Sequence, residues 1–352
     1  MTNFDENNQE SYNQREKIKK IMENTDNHET VEKDFIPHFF PTFRISRRFY
    51  PLPIIIVVIF AGLLAYSTYV LAGIQVEGGY VSESEYGLAA GLINGLIFTI
   101  MAAISSFIII FLVKRKGIDI LKYIFGITFG FLGFLLTLFF GQIILYLIFI
   151  NFPETDLIIA SYYISYYILL IGTGILTILM IYRYLTSFSL FTKNLIVLYI
   201  GLLIGALMGV MMPLWTTLAI LIGISLWDIF AVKSKKGPIK NIIDIASKDS
   251  MDSQFTEEEL NQKIKEGEME YDTSKLEIGI GDLAFYSMLT SSALIITGNI
   301  FVMIFTAIAI IIGTGITIQG LKHNKILPGL PISIFLGIGT MLISWYIISV
   351  IY

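Results

Sequence analysis

Long apolar runs separated by short polar gaps dominate this chain. Runs of about twenty residues fit a helix crossing a hydrocarbon core of roughly 30 Å. Nine can be read: 51–74, 88–113, 123–150, 157–184, 194–213, 214–232, 278–297, 300–320 and 329–351. Their length excludes buried strands and predicts an all-α polytopic membrane protein. Met212-Pro213 is the ambiguous division: it either separates the fifth run from the sixth or breaks one helix.

Charges in the gaps test that count, because Lys and Arg collect in cytoplasmic loops. Arg44, Arg47 and Arg48 precede the first run, whereas Gln75 to Gly87 carries Glu77, Glu83 and Glu85 and no basic residue. Lys114, Arg115, Lys116 and Lys122 follow, then none from Asn151 to Asp156. Arg183 and Lys193 bracket the next turn, and Met212-Pro213 has none. Lys233, Lys235, Lys236 and Lys240 open the long segment, Thr297-Gly298-Asn299 is uncharged, and Lys322 and Lys325 precede the last run. This alternation predicts a cytoplasmic N-terminus and an outside C-terminus. It also favours two separate runs at Met212-Pro213, since merging them would put consecutive basic gaps on opposite sides.

Residues 1–49 form a polar tail, too poor in apolar residues to build a core and expected to be mobile. Its place ahead of the first run excludes a cleavable signal peptide. Residues 50–213 hold spans one to five, 214–232 the sixth, and 278–352 the last three. Between them, 233–277 is a cytoplasmic connection. Pro238 suits a first helical position there, and Ile239, Ile242, Ile243 and Ala246 make an apolar stripe that can lie on the membrane surface. Thr256 and Glu259 have capping-box spacing, predicting a short helix that ends near Gly267. The stretch from Ser247 to Lys275 otherwise looks like a polar tether.

Composition agrees: of 352 residues 55% are hydrophobic and 15% charged, with mean hydropathy +0.73. The absence of cysteine excludes disulfides, thiol catalysis and Cys-ligated zinc. A net charge of −4 gives no sign of a nucleic-acid partner.

Against this background, two carboxylates stand out. Asp228 lies near the end of the sixth run, and Gly279-Ile280-Gly281-Asp282 opens the seventh. An ionisable group inside a membrane segment is costly and points to function. Each aspartate lies about five residues inside its rim, so roughly 7 Å deep at 1.5 Å per residue. By the charge topology both rims face the same side. Two antiparallel helices can therefore present a facing carboxyl pair, and such a pair shares one proton. The ionised member can take a proton from a water attacking a peptide carbonyl. The protonated member polarises that carbonyl and serves the leaving amine. This chemistry requires no metal and no cofactor. Gly279 and Gly281 allow close approach and a helix start that can loosen. Pro328 and Pro331, in Leu327-Pro328-Gly329-Leu330-Pro331, hold the entry to the ninth run non-helical or begin its first turn.

Three blocks together resemble the presenilin branch of the GxGD intramembrane aspartyl proteases. Asp228 is followed by Lys236-Gly237-Pro238, Gly279-Ile280-Gly281-Asp282 by Phe285-Tyr286-Ser287, and Leu327 to Ile334 is similar to the family's PAL-containing block. The resemblance implies a nine-span fold with Asp228 and Asp282 as the catalytic pair. It implies that Pro328, Gly329, Leu330 and Pro331 shape the site, beside Gly279, Ile280, Gly281 and Trp227. Trp227 stands where the family usually has Tyr, and Gly329 replaces the Ala of PAL. The implied substrates are transmembrane segments or signal peptides. The compact chain looks like microbial homologues of the plasma membrane that act without partner subunits, and Ser247 to Lys275 lacks the apolar stretch cut in presenilin maturation.

Other chemistries fit less well. No H-E-x-x-H occurs, and no histidine in a span activates Ser225. His323 reads as a solvated basic cap, Tyr162, Tyr163, Tyr166 and Tyr167 as an interfacial belt, and Asn94, Gln142, Asn299 and Gln319 as interhelical hydrogen-bond partners. The main rival is a proton-coupled transporter or channel using the same aspartates as a relay. A prepilin-type peptidase or a silent scaffold leaves the Lys236 and proline blocks or the aspartates unexplained.

Overall fold

The computed structural model describes residues 29–31, 40–117, 119–187, 189–234, 269–271, 275–321 and 329–351. The surface helix expected at Pro238 to Ala246, the capping-box helix at Thr256, His323 and Pro328 lie outside the described residues. Among the described residues, nine helices are long and apolar enough to cross a membrane. They are α1 (Pro51–Tyr66, continued by a π-helical turn to Leu71), α2 (Leu88–Lys116), α3 (Ile120–Phe149), α4 (Asp156–Thr186) and α5 (Leu190–Met211). Then come α6 (Leu214–Lys233), α7 (Ile280–Thr297), α8 (Ile300–Leu321) and α9 (Leu330–Ile351). The protein is a polytopic all-α membrane protein, as the apolar pattern predicts.

Local chemistry sets the helix ends. Lys114, Arg115 and Lys116 occupy the last turn of α2, facing its partial negative pole. Gly298 ends α7 in a left-handed conformation, φ 63°, that a side chain would strain. Met212 and Pro213 are both extended, so the ambiguous division is a true break between α5 and α6. α5 starts earlier than its apolar run: Lys193, expected at the turn, lies in its first turns and is buried. Among the described residues, Asn299 bonds only locally and not to another helix. Its Oδ1 accepts the Phe301 N–H at 2.8 Å, a local bond that short Asx side chains favour.

α7 is the central helix. In an apolar stretch of 18 residues from each helix, 61% of α7 is buried, against 11% for α2 and α4. It packs chiefly on α5, then on α1 and α8, with α6 and α9 alongside. Because lipid is as apolar as leucine, helices in a bilayer associate by close packing of small residues. Gly201, Gly205 and Gly209 recur every four residues on α5, so they share one face. A Cβ at Gly205 would overlap Ser287, and one at Gly209 would lie 2.5 Å from the Ser291 Cβ. Ser287, Thr290, Ser291 and Ser292 of α7 are fully buried. On the other flank, a Cβ at Gly91 or Gly95 of α2 would lie 2.5 Å from the Cβ of Trp215 or Ala219, locking α2 to the helix that carries Asp228.

Two short strand pairs complete the fold. In a unit holding Met1–Phe35 and Ala246–Ser274, β1 (Glu29–Val31) pairs in parallel with β3 (Met269–Tyr271). In the helical unit, β2 (Thr42–Ser46) pairs antiparallel with β4 (Lys275–Gly279), Thr42 opposite Gly279 and Arg44 opposite Glu277. Residues 42–49, assigned to a mobile tail by composition, are thus ordered as a strand and a 3-10 turn. The reason is burial: Phe43 and Ile278 alternate inward and join the core.

Gly205→Val should overpack the α5–α7 seam and destabilise the protein by about 1–3 kcal/mol. Gly174→Ala, where a Cβ meets nothing within 4 Å, is the neutral control. Thermal unfolding in detergent micelles measures both.

Candidate active site

α6 presents Asp228 about one and a half turns before its end. The first residue of α9, Leu330, has a backbone N–H with no partner inside its own helix. It donates to Asp228 Oδ2 at 3.2 Å, and the Gly329 N–H faces the same carboxylate. An anionic side chain at a helix start is favourable, because the free N–H groups and the helix dipole both point at it.

Asp282 reaches the same place from α7. β4 ends at Gly279, which is extended (φ −65°, ψ 147°) and forms the N-cap of α7. Asp282, three residues on, turns its carboxylate back toward the Gly279 N–H, as the acidic member of a capping box does. A Cβ placed on Gly329 would lie 3.1 Å from Asp282 Oδ2. The Gly329-Leu330 dipeptide therefore borders both carboxyls, Leu330 at Asp228 and Gly329 at Asp282, and the two acids are near enough to act on each other electrostatically. Both aspartates are half-buried, between the α7 core and the bundle end.

The structure thus brings together Asp228, Asp282, Gly279, Gly329 and Leu330. Pro331 is buried in the first turn of α9. Ile280 packs toward Gly201 of α5. Gly281 leaves open space toward Phe285, 3.9 Å from where its Cβ would stand. α7 is regular from Ile280 onward. Trp227 points elsewhere: its ring packs on Phe107 of α2 (6.1 Å between centroids) and on Phe230 (5.3 Å).

Further residues support the site, among which Thr314 and Ser333 carry no local sequence signal. Tyr286, one turn after Asp282 and fully buried, donates from its hydroxyl to the Gly329 carbonyl at 3.4 Å. Thr314 of α8 donates to that hydroxyl at 3.4 Å and lies 3.0 Å from Ser333 Oγ of α9. Three helices thereby hold Gly329 beside the two acids. At the opposite end of α6, Glu83 accepts N–H bonds from Trp215 (3.0 Å) and Thr216 (2.9 Å), capping the helix from a distant loop. Asn94 of α2 donates to Thr216 Oγ1 at 3.1 Å and accepts from the Tyr80 and Val81 N–H groups. In that loop the Ser84 N–H, with further donors at Glu83, Ser82 and Ser84, holds the Glu77 carboxyl below the usual range against the opposing effect of desolvation.

A family model described as Presenilin matches residues 53–253 and 246–352. Presenilin-B of Dictyostelium discoideum is 35% identical over 133 residues, 36% of this chain. That match spans only 25% of the Dictyostelium protein. A presenilin-like protein of Arabidopsis thaliana is 23% identical over 330 residues, covering 73% of this chain and 78% of its own. The solved structure of a presenilin family intramembrane aspartate protease superposes with a TM-score of 0.51 at 14% identity, covering 84% of this chain and 97% of that one. A likeness at that identity bears on the fold.

Glu83→Ala should uncap α6 and cost about 1 kcal/mol, read as a lower thermal midpoint. The Glu77 contribution should depend on pH. Its folded pKa is depressed, so its support is complete above the ordinary glutamate range and is lost as pH falls through the lowered value. Amide protection at Glu83 and Ser84, whose N–H groups bond Glu77, should fall with it.

Proposed function

The chain belongs to the presenilin family, and from that premise we propose that it is a GxGD-type aspartyl endopeptidase cutting transmembrane segments or signal peptides inside the bilayer. The observation that supports this reading is the convergence of Asp228 and Asp282 on one dipeptide, Gly329-Leu330. Two carboxyls that close in a low dielectric cannot both ionise, so they hold one proton between them. The ionised carboxylate removes a proton from water as its oxygen attacks the scissile carbonyl. The protonated carboxyl donates to the carbonyl oxygen, which becomes the hydroxyl of a tetrahedral intermediate. As the C–N bond breaks, the protonated carboxyl gives its proton to the departing nitrogen while the other carboxylate takes one from a hydroxyl of the intermediate, so the C=O re-forms, acid and amine separate, and the pair again holds one proton. No cofactor enters this cycle.

In this reading Gly329 is small because Asp282 needs the space, and the Tyr286–Thr314–Ser333 bonds fix the Gly329 carbonyl. Gly279, Ile280 and Gly281 shape the approach to Asp282. Pro331 holds the first turn of α9, and Trp227 sets the packing of α6 on α2. The proposal includes a single-chain enzyme, active without partner subunits in the plasma membrane of a microbe.

Purified protein should cleave a generic single-span helical peptide in liposomes. Asp228→Asn and Asp282→Asn should each lower the rate by about 10²- to 10⁴-fold or more. Wild-type cleavage in either variant would falsify the dyad. Proton flux lost in both variants, with no proteolysis by the wild type, would favour the relay instead.

A further inference from the structure

We propose that the strand ahead of the first span, through Arg44, is a positioning element for Asp282. The inference rests on the protease reading above but concerns a part of the chain outside the dyad. β4 leads straight into Asp282, with two residues between Gly279 and the carboxylate's own position. β2 follows β4 along its whole length, and the pairing continues one step further: the Ile280 N–H donates to the Pro41 carbonyl at 3.0 Å. Backbone contacts from the N-terminal segment thus reach the first residue of α7. The Gly279 N–H that faces Asp282 belongs to the end of the paired strand.

A two-stranded ribbon is marginal by itself, so something must fix this one. Arg44 Nε meets Glu277 Oε1 at 2.8 Å, and the two side chains are only 12% and 24% exposed, unlike the solvated surface pairs that contribute little. Thr42 Oγ1 donates to the other Glu277 oxygen at 2.9 Å. On the far edge of β2, Asn194 of α5 accepts the Arg44 N–H at 2.8 Å and donates to the Arg44 carbonyl at 2.7 Å. The side-chain amide thereby imitates a third strand. Arg47 adds a guanidinium bond to the Ile318 carbonyl of α8. The β4 strand is therefore held to α5 and α8 through residues 41–47. A shift of about 1 Å at a positioned group can cost up to about a hundredfold in rate, so slack in this clamp should appear at Asp282.

Both main-chain groups of Arg44 bond to Asn194, which makes Arg44–Glu277 a non-hydrogen-bonded pair, with Cα atoms expected about 4.5 Å apart. That spacing admits a disulfide, and the chain has no cysteine of its own. The test is Arg44→Cys with Glu277→Cys in the full-length protein, with kcat and KM for a single-span peptide measured oxidised and reduced. Oxidised protein should be close to wild type. Reduction should lower kcat about tenfold or more with KM nearly unchanged, and reoxidation should restore it. Asn194→Leu should lower kcat in the same way, again with KM nearly unchanged. Equal kcat in both redox states, or failure of the disulfide to form in folded protein, overturns the clamp. Should wild-type protein not cleave at all, the protease reading fails instead. Hydrogen exchange at residues 278–282 in the two redox states then decides the clamp: protection lost on reduction supports it, and equal protection overturns it.

Discussion

Two carboxyl groups placed inside apolar helices need a reason to be there. A lone carboxylate at such depth costs several kcal/mol in water lost and is normally neutral or paired. Here each acid is met by backbone N–H groups at a helix start: Asp228 by Leu330 of α9, and Asp282 by Gly279 at the N-cap of α7. Helix N-termini are the places where a helical membrane protein still has unspent donors. Putting two of them, from α7 and α9, at one end of the bundle lets two acids share a small polar spot that the surrounding lipid could not provide.

The rest of the architecture serves that meeting point. α7 sits at the centre, buried by α5 through glycine–serine contacts too close for larger residues. α6 is locked to α2 by Gly91 and Gly95 and capped at its far end by Glu83. α9 is tied to α7 and α8 through Ser333, Thr314 and Tyr286. Rigid close packing around a half-buried polar site is how a membrane bundle can hold catalytic groups within the tolerance that proximity effects demand.

Much of this was legible in the sequence, for identifiable reasons. Spans read well because lipid demands long uninterrupted apolar runs, and the ambiguous Met212-Pro213 division was favoured as a break by the alternation of basic and non-basic gaps. Asp228 and Asp282 stood out because the runs around them are nearly free of charge. The strand Thr42–Ser46 did not stand out. Its alternation of Phe43 and Ile45 spans five residues inside a polar segment, and its partner lies more than two hundred residues away. Glu83 and Asn194 were equally silent, since each acts on a distant element through one polar side chain, whereas Asn94 is the interhelical partner that its place inside a span implied. Trp227 was read from its neighbour in sequence, whereas helical geometry turns it about 100° away from Asp228, toward Phe107.

The most direct measurement is the protonation state of the two acids, read by infrared or carbon NMR spectroscopy on protein carrying labelled aspartate, in lipid at neutral pH. The account predicts one protonated and one ionised carboxyl, with the balance disturbed when either partner is replaced by asparagine. Finding both carboxyls ionised, or each indifferent to removal of the other, would contradict it.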